Sequence, residues 1–216
     1  MSLDFFEAAT SGDVSKVKTM LDEDASLANA RDENGVSVIM KASYYGKRDV
    51  VAVLLDSGAE LDVFEAAATG RTTRLLDLLA HDPSLANAYS PDGFTPLGFA
   101  VFFGQPEIVK ALLESGAEVN APSRESMKVT PLASAAAAKQ TEIARMLIAH
   151  GANVNAVAAS GHIPLHEASA TGNVELVRLL IENGANVNAK TDDGKTPLDF
   201  ATEYNRPEVI EILKES

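Results

Sequence analysis

The feature that most constrains this chain is that it nearly repeats itself. SPDGFTPLGFAVFFGQPEIVKALLESGAEVNA occupies residues 90–121, and ASGHIPLHEASATGNVELVRLLIENGANVNA occupies residues 159–189. When Gly93 is set against Gly161, Pro96 meets Pro164, Leu97 meets Leu165, Gly104 meets Gly172, and Leu112–Leu113 meet Leu179–Leu180. Further copies read MKVTPLASAAAAKQTEIARMLIAHGANVNA at 127–156 and DDGKTPLDFATEYNRPEVIEILKES at 192–216, with a more degenerate DENGVSVIMKASYYGKRDVVAVLLDSGAELD at 32–62. A segment this short cannot bury its apolar face alone, so the copies must stack and share one core.

The chemistry inside each copy predicts two helices. Thr95-Pro96 opens the first: threonine can cap, and proline suits the first turn, where its missing N–H costs nothing. Gly104 stops that helix. The second carries apolar residues at Ile108, Val109, Leu112 and Leu113, a stripe wide enough to meet both its partner helix and the next copy. Gly58, Gly116, Gly151 and Gly184 stand where a helix ends in a left-handed residue. DENG (32–35), SPDG (90–93) and TDDG (191–194) end in glycine as β-turns do and lack the ligand spacing of a calcium loop.

The TPLH-like segments, TPLG at 95–98 and IPLH at 163–166, resemble the T-P-L-H-x-A signature of the ankyrin repeat. The resemblance extends over essentially the whole chain. It implies an all-α solenoid of stacked helix-turn-helix units with β-turn or hairpin loops, forming a single domain over 1–216. The units fall at about 3–30, 31–62, 63–88, 89–121, 122–156, 157–189 and 190–216. The signature histidine is Gly98, Ala133, His166 and Asp199 in the four clear copies. The resemblance implies that this histidine ties neighbouring loops, so its loss predicts looser tethering within the same fold.

Units one and three depart further: both close in Ser-Leu-Ala-Asn-Ala, at 26–30 and 84–88, in place of Gly-Ala-x-Val-Asn. Unit three also enters its first helix without a turn, through GAELDVFEAAATG. The row of projecting loops, or fingers, is therefore expected to have a gap between units two and four. In unit five Lys139 replaces the usual glycine, and SRESMKV lengthens the finger by two residues.

Composition excludes several functions. The net charge of −13 opposes a nucleic-acid or anionic-membrane surface, both of which call for basic faces, and it favours partners with basic flanks. With no cysteine there is no disulfide, thiolate catalysis or cysteine-ligated zinc. The N-terminal stretch is not a signal peptide, and no apolar run approaches the roughly 18 residues of a membrane helix. Of the four histidines, His162 and His166 have metal-like spacing, but Pro164 between them places them across a turn and a helix start. A structural role is expected for both, and for the recurring Asn120, Asn155 and Asn188, whose side chains suit backbone groups. No motif of a nucleotide-binding loop, serine hydrolase or metalloprotease is present. No catalytic residue, cofactor or metal is expected, and the chain reads as a cytoplasmic monomer that is not an enzyme.

Where such repeats vary freely, two residues sit at the concave end of each first helix. In order they are Thr10-Ser11, Tyr44-Tyr45, Ala68-Thr69, Phe102-Phe103, Ala137-Ala138, Ala170-Thr171 and Glu203-Tyr204. Consecutive helical positions lie about 100° apart, so at least one member of each aromatic pair should be exposed. The adjoining fingers carry Val36 and Phe94. The expected partner-binding residues are therefore Val36, Tyr44, Tyr45, Phe94, Phe102 and Phe103, holding a protein or peptide in the concave groove. With neighbouring helices about 8–10 Å apart, the two aromatic pairs should stand about 20 Å apart with room between them. Two alternatives stand beside this reading: a small-molecule or enzymatic role in the cleft of the missing third finger, and self-association through the aromatic strip.

Overall fold

A computed structural model of the chain describes residues 2–216. Fourteen helices among the described residues follow one another as seven pairs. The first is α1 (Ser2–Ser11) with α2 (Val14–Glu23), then α3 (Val38–Tyr44) with α4 (Arg48–Asp56), and α5 (Val63–Ala68) with α6 (Thr72–His81). Next come α7 (Pro96–Phe102) with α8 (Pro106–Glu114), and α9 (Pro131–Ala137) with α10 (Thr141–Ala149). The last two are α11 (Pro164–Thr171) with α12 (Val174–Glu182), and α13 (Pro197–Glu203) with α14 (Pro207–Glu215). First helices pack on first helices throughout and second on second except between α4 and α6, which hardly touch, and one continuous apolar core runs through the stack.

Caps fix where the first helices begin. Ser37, Thr95, Thr130 and Thr196 each accept the backbone N–H three residues on. In the third pair, which has no finger, Asp62 accepts from Phe64 and Glu65 while the Glu65 carboxylate accepts the Asp62 N–H, a reciprocal cap. That cap replaces a turn, so the chain passes directly into α5. The Ser-Leu-Ala-Asn segments form short 3-10 turns, Ala25–Asn29 and Pro83–Asn87, opened alike by Asp24 and Asp82 accepting from Ser26 and Ser84.

The fingers are turns of the expected kind, with Gly35 donating to Asp32, Gly93 to Ser90 and Gly194 to Thr191. Gly116, Gly151 and Gly184 have positive φ, as their place after a helix end requires. On the opposite edge, asparagines link neighbours: the Asn87, Asn120 and Asn155 amides donate to the Gly116, Gly151 and Gly184 carbonyls and accept from Glu118, Asn153 and Asn186. Each side chain thus satisfies one carbonyl and one N–H of the loop that follows the neighbouring second helix. No described helix is long and apolar enough to cross a membrane.

Candidate functional site

The concave face is built from the fingers and the C-terminal ends of the first helices. Tyr44 is the last residue of α3 and Phe102 the last of α7; Tyr45 and Phe103 follow them as caps, their N–H groups bound to Lys41 and Phe99. Both tyrosines of the first pair are exposed, Tyr44 at 38%, while the members of the second pair differ. Tyr45 is 63% exposed and Phe102 53%, whereas Phe103 is half-buried against the core. Phe103 is therefore mainly a packing residue, which corrects its expected place as an exposed contact.

The two pairs do not stand apart with room between them. The Tyr44 ring lies 5.6 Å from Phe103 and 6.2 Å from Phe102, and its hydroxyl donates to Asp92 on the fourth finger at 2.7 Å. The cause lies in the pair between: Ala68 is buried and small, and no finger stands above it, so the aromatic side chains close over the third pair. Buried Phe99 is the hub of the cluster, with Phe94 at 5.4 Å and Phe64 at 6.0 Å. Burial and then the Asp92 hydrogen bond push the Tyr44 hydroxyl above the usual tyrosine range.

The cleft of the missing finger is likewise occupied. Val36 is half-buried there and lines, with Phe64, Asp92 and others, a cavity of only about 30 Å3. The Arg31 guanidinium fills the approach, pairing with buried Glu65 at 2.9 Å and with Asp62 at 3.4 Å. A charge this buried calls for such a partner, and on the concave side the ion pairs leave little space, whereas an open depression of about 900 Å3 lies beside Ala59–Leu61 and the start of α6.

A more enclosed, apolar opening lies farther along the concave face. A pocket of about 370 Å3 sits between the fourth, fifth and sixth fingers and the helices α7, α9 and α11. Phe94, Phe102, Met127, Val129 and Ile163 supply its apolar lining, with Gly98, Ala133 and Ala137 on the helices; Glu125, Glu167 and His162 are its ionisable members. Phe102 and Phe94 therefore belong both to the aromatic cluster and to this pocket. Sequence reasoning did not find the pocket, although it noted the small residues at 98 and 133 and the longer fifth finger.

The fingers over it are fixed to one another. Arg124 N–H donates to Gly93, Ala159 to Met127, and Asp192 to Ser160, at 2.8–3.0 Å. His166 shows what the two small positions omit. It is fully buried, its Nδ1 accepts the Ile163 N–H, and its Nε2 donates to the Ala189 and Lys195 carbonyls of the next finger. Burial, and secondarily His162, holds its pKa below the usual histidine value, so it acts as a neutral bridge. His162 pairs through Nδ1 with Glu167 at 2.9 Å. Among the described residues, no group of three or more histidine or acidic side chains is placed to hold a metal.

Over 53 residues, 24% of the chain, the sequence is 45% identical to the NAD-capped RNA hydrolase NUDT12 of Homo sapiens, and the match covers 12% of that protein. The Macaca fascicularis form matches with the same identity over the same number of residues. Over 129 residues, 55% of the chain, it is 28% identical to a probable E3 ubiquitin-protein ligase, XBOS31, of Oryza sativa, covering 29% of that protein. The chain thus spans less than a third of the length of these curated relatives. A family model described as ankyrin repeats (3 copies) matches residues 63–158 and 153–216, well over half of the sequence. The chain belongs to the ankyrin repeat family.

Proposed function

We propose that the chain is a non-catalytic binding module that holds a protein or peptide segment in its concave groove. Ankyrin repeats are in general a binding fold, and the activities named for the two relatives belong to proteins of which this chain matches a minor part. The observation that carries the proposal is a continuous apolar surface. It runs from Tyr45 and Tyr44 through Phe102 into the 370 Å3 pocket, with large side chains left in solvent at a concave surface. Exposed aromatics beside a cavity are the usual anchors of an interface.

On this reading Tyr44, Tyr45, Phe94 and Phe102 contact the partner, while Val36 and Phe103 support them. The net charge of −13 favours a partner with basic flanks and disfavours nucleic acid. Residues 1–216 act as one domain of seven units, as a cytoplasmic monomer.

The test is a random-peptide display panned against the chain. Selected peptides should lose affinity for Tyr45→Ala and Phe102→Ala and keep it for Leu76→Ala, an exposed position on α6 away from the groove. Peptides that bind every variant alike would refute the groove. Sedimentation that shows self-association abolished by Tyr45→Ala would assign the strip to a second copy of the chain instead.

A further inference from the structure

The pocket exists because two side chains are missing. In α5, α7, α9, α11 and α13 the residue three beyond the cap is Glu65, Gly98, Ala133, His166 and Asp199. Glu65 and Asp199 return to their own cap N–H groups, and His166 bridges to the next finger. Gly98 and Ala133 reach nothing, and both line the pocket. Backbone geometry does not require the glycine: Gly98 has no left-handed φ, and the nearest atoms to an added Cβ would be Thr95 Oγ1 at 3.4 Å and Phe94 at 3.8 Å. Glycine inside a helix costs stability relative to alanine, so local structure gains nothing from it. What the molecule gains is space.

We infer that this pocket receives an apolar side chain of the partner whose neighbouring residue is basic, the cation meeting the carboxylates of Glu125 and Glu167. The inference rests on the reading that the groove takes a protein or peptide. The lining is apolar apart from those two carboxylates, the His162 that pairs with Glu167, and small hydroxyls; no lysine or arginine contributes. The Glu125 carboxylate has one long hydrogen bond among the described residues, from Ser123 Oγ at 3.4 Å, and so remains open to a cation. Met127, 54% exposed, offers an unbranched, polarizable side chain that can shape itself around an incoming group. A volume of 370 Å3 lies at the small end of ligand pockets, about 300–1,000 Å3. It suits a leucine, methionine or phenylalanine together with the start of its neighbour.

The test is a methyl and aromatic NMR titration of the whole chain with two 12-residue peptides. They share a central Leu-Leu and differ in flanking arginines or flanking glutamates. The arginine peptide should shift the methyls of Met127, Val129 and Ala137, and the glutamate peptide should bind at least about five-fold more weakly. Filling the pocket with Ala133→Leu, or with Ala137→Leu at an exposed position should the first unfold, should weaken the arginine peptide at least about five-fold. Equal shifts from both peptides overturn the inference, as does unchanged binding to a folded filled variant. Shifts confined to Tyr44 and Tyr45 overturn it while leaving the groove reading intact. Shifts confined to the pocket uphold it and count against an extended groove, and shifts at neither place refute both.

Discussion

The hydroxyl of Tyr44 donates to Asp92 Oδ2 at 2.7 Å, so the second helix pair is fastened directly to the fourth finger across the pair between them. Substituting Tyr44→Phe keeps the ring and removes the bond. At neutral pH the loss should be about 0.5–1 kcal/mol, the scale of a single partly exposed hydrogen bond.

The same bond carries a pH signature. Tyr44 has a pKa raised above 10.0 by burial and by Asp92, so above pH 10 the folded chain keeps a proton that the unfolded chain releases. The stability this contributes is complete below the unfolded pKa and is lost as pH rises toward the folded one. Urea midpoints at about pH 9 and 11 should therefore fall more steeply in the wild type than in Tyr44→Phe. Parallel slopes would show that the hydroxyl titrates freely.

Phe103 and Tyr45 occupy equivalent positions with opposite burial, and their truncations should separate stability from binding. Phe103→Ala removes a ring packed on Phe99, Tyr44 and Phe102 and should cost about 2–3 kcal/mol. Tyr45→Ala, at an exposed site, should cost less than about 0.5 kcal/mol. Denaturant titration of both proteins decides it, and equal costs would mean that the pair is packed symmetrically.

Lys139 stands where most neighbouring pairs have glycine, and its φ is 58°. A side chain there is held in a left-handed conformation at a cost. Lys139→Gly should stabilise the fold by about 0.5–1 kcal/mol, read as a higher denaturant midpoint at an unchanged slope. A neutral or destabilising result would mean that the lysine side chain makes a compensating contact.

Two glycines distinguish backbone strain from crowding. Gly116 has φ 82° and open space around a would-be Cβ, so Gly116→Ala should cost about 1 kcal/mol from conformation alone. At Gly161 the same atom would lie 2.9 Å from Thr191 Cα and Asp192 N, beneath the bond that joins two fingers. Gly161→Ala should therefore cost at least about 2 kcal/mol. Equal midpoints for the two variants would show that the sixth and seventh fingers move apart freely.

The solenoid was legible because its determinants are local and repeated: a capping Thr or Ser, a proline in the first turn, paired leucines and a terminal glycine. The side-chain pairs of the concave face were legible for the same reason, by register. What escaped the sequence depends on contacts between units. A missing finger reads as a gap when residues are counted, yet in three dimensions Tyr44 and Phe103 close over Ala68, and Arg31 enters to meet Glu65. The pocket was hidden because its signal is a pair of absences, Gly98 and Ala133, which resemble mere loss of the signature histidine. Only the place of His166 in α11 shows what volume those absences leave.

Phe102 joins the aromatic strip to the pocket, so the dissociation constant of one display-selected peptide for wild type and for Phe102→Ala tests the groove most directly. The account predicts at least a ten-fold loss, about 1.4 kcal/mol, with an unfolding midpoint close to that of the wild type. Unchanged affinity in a folded Phe102→Ala protein would contradict it.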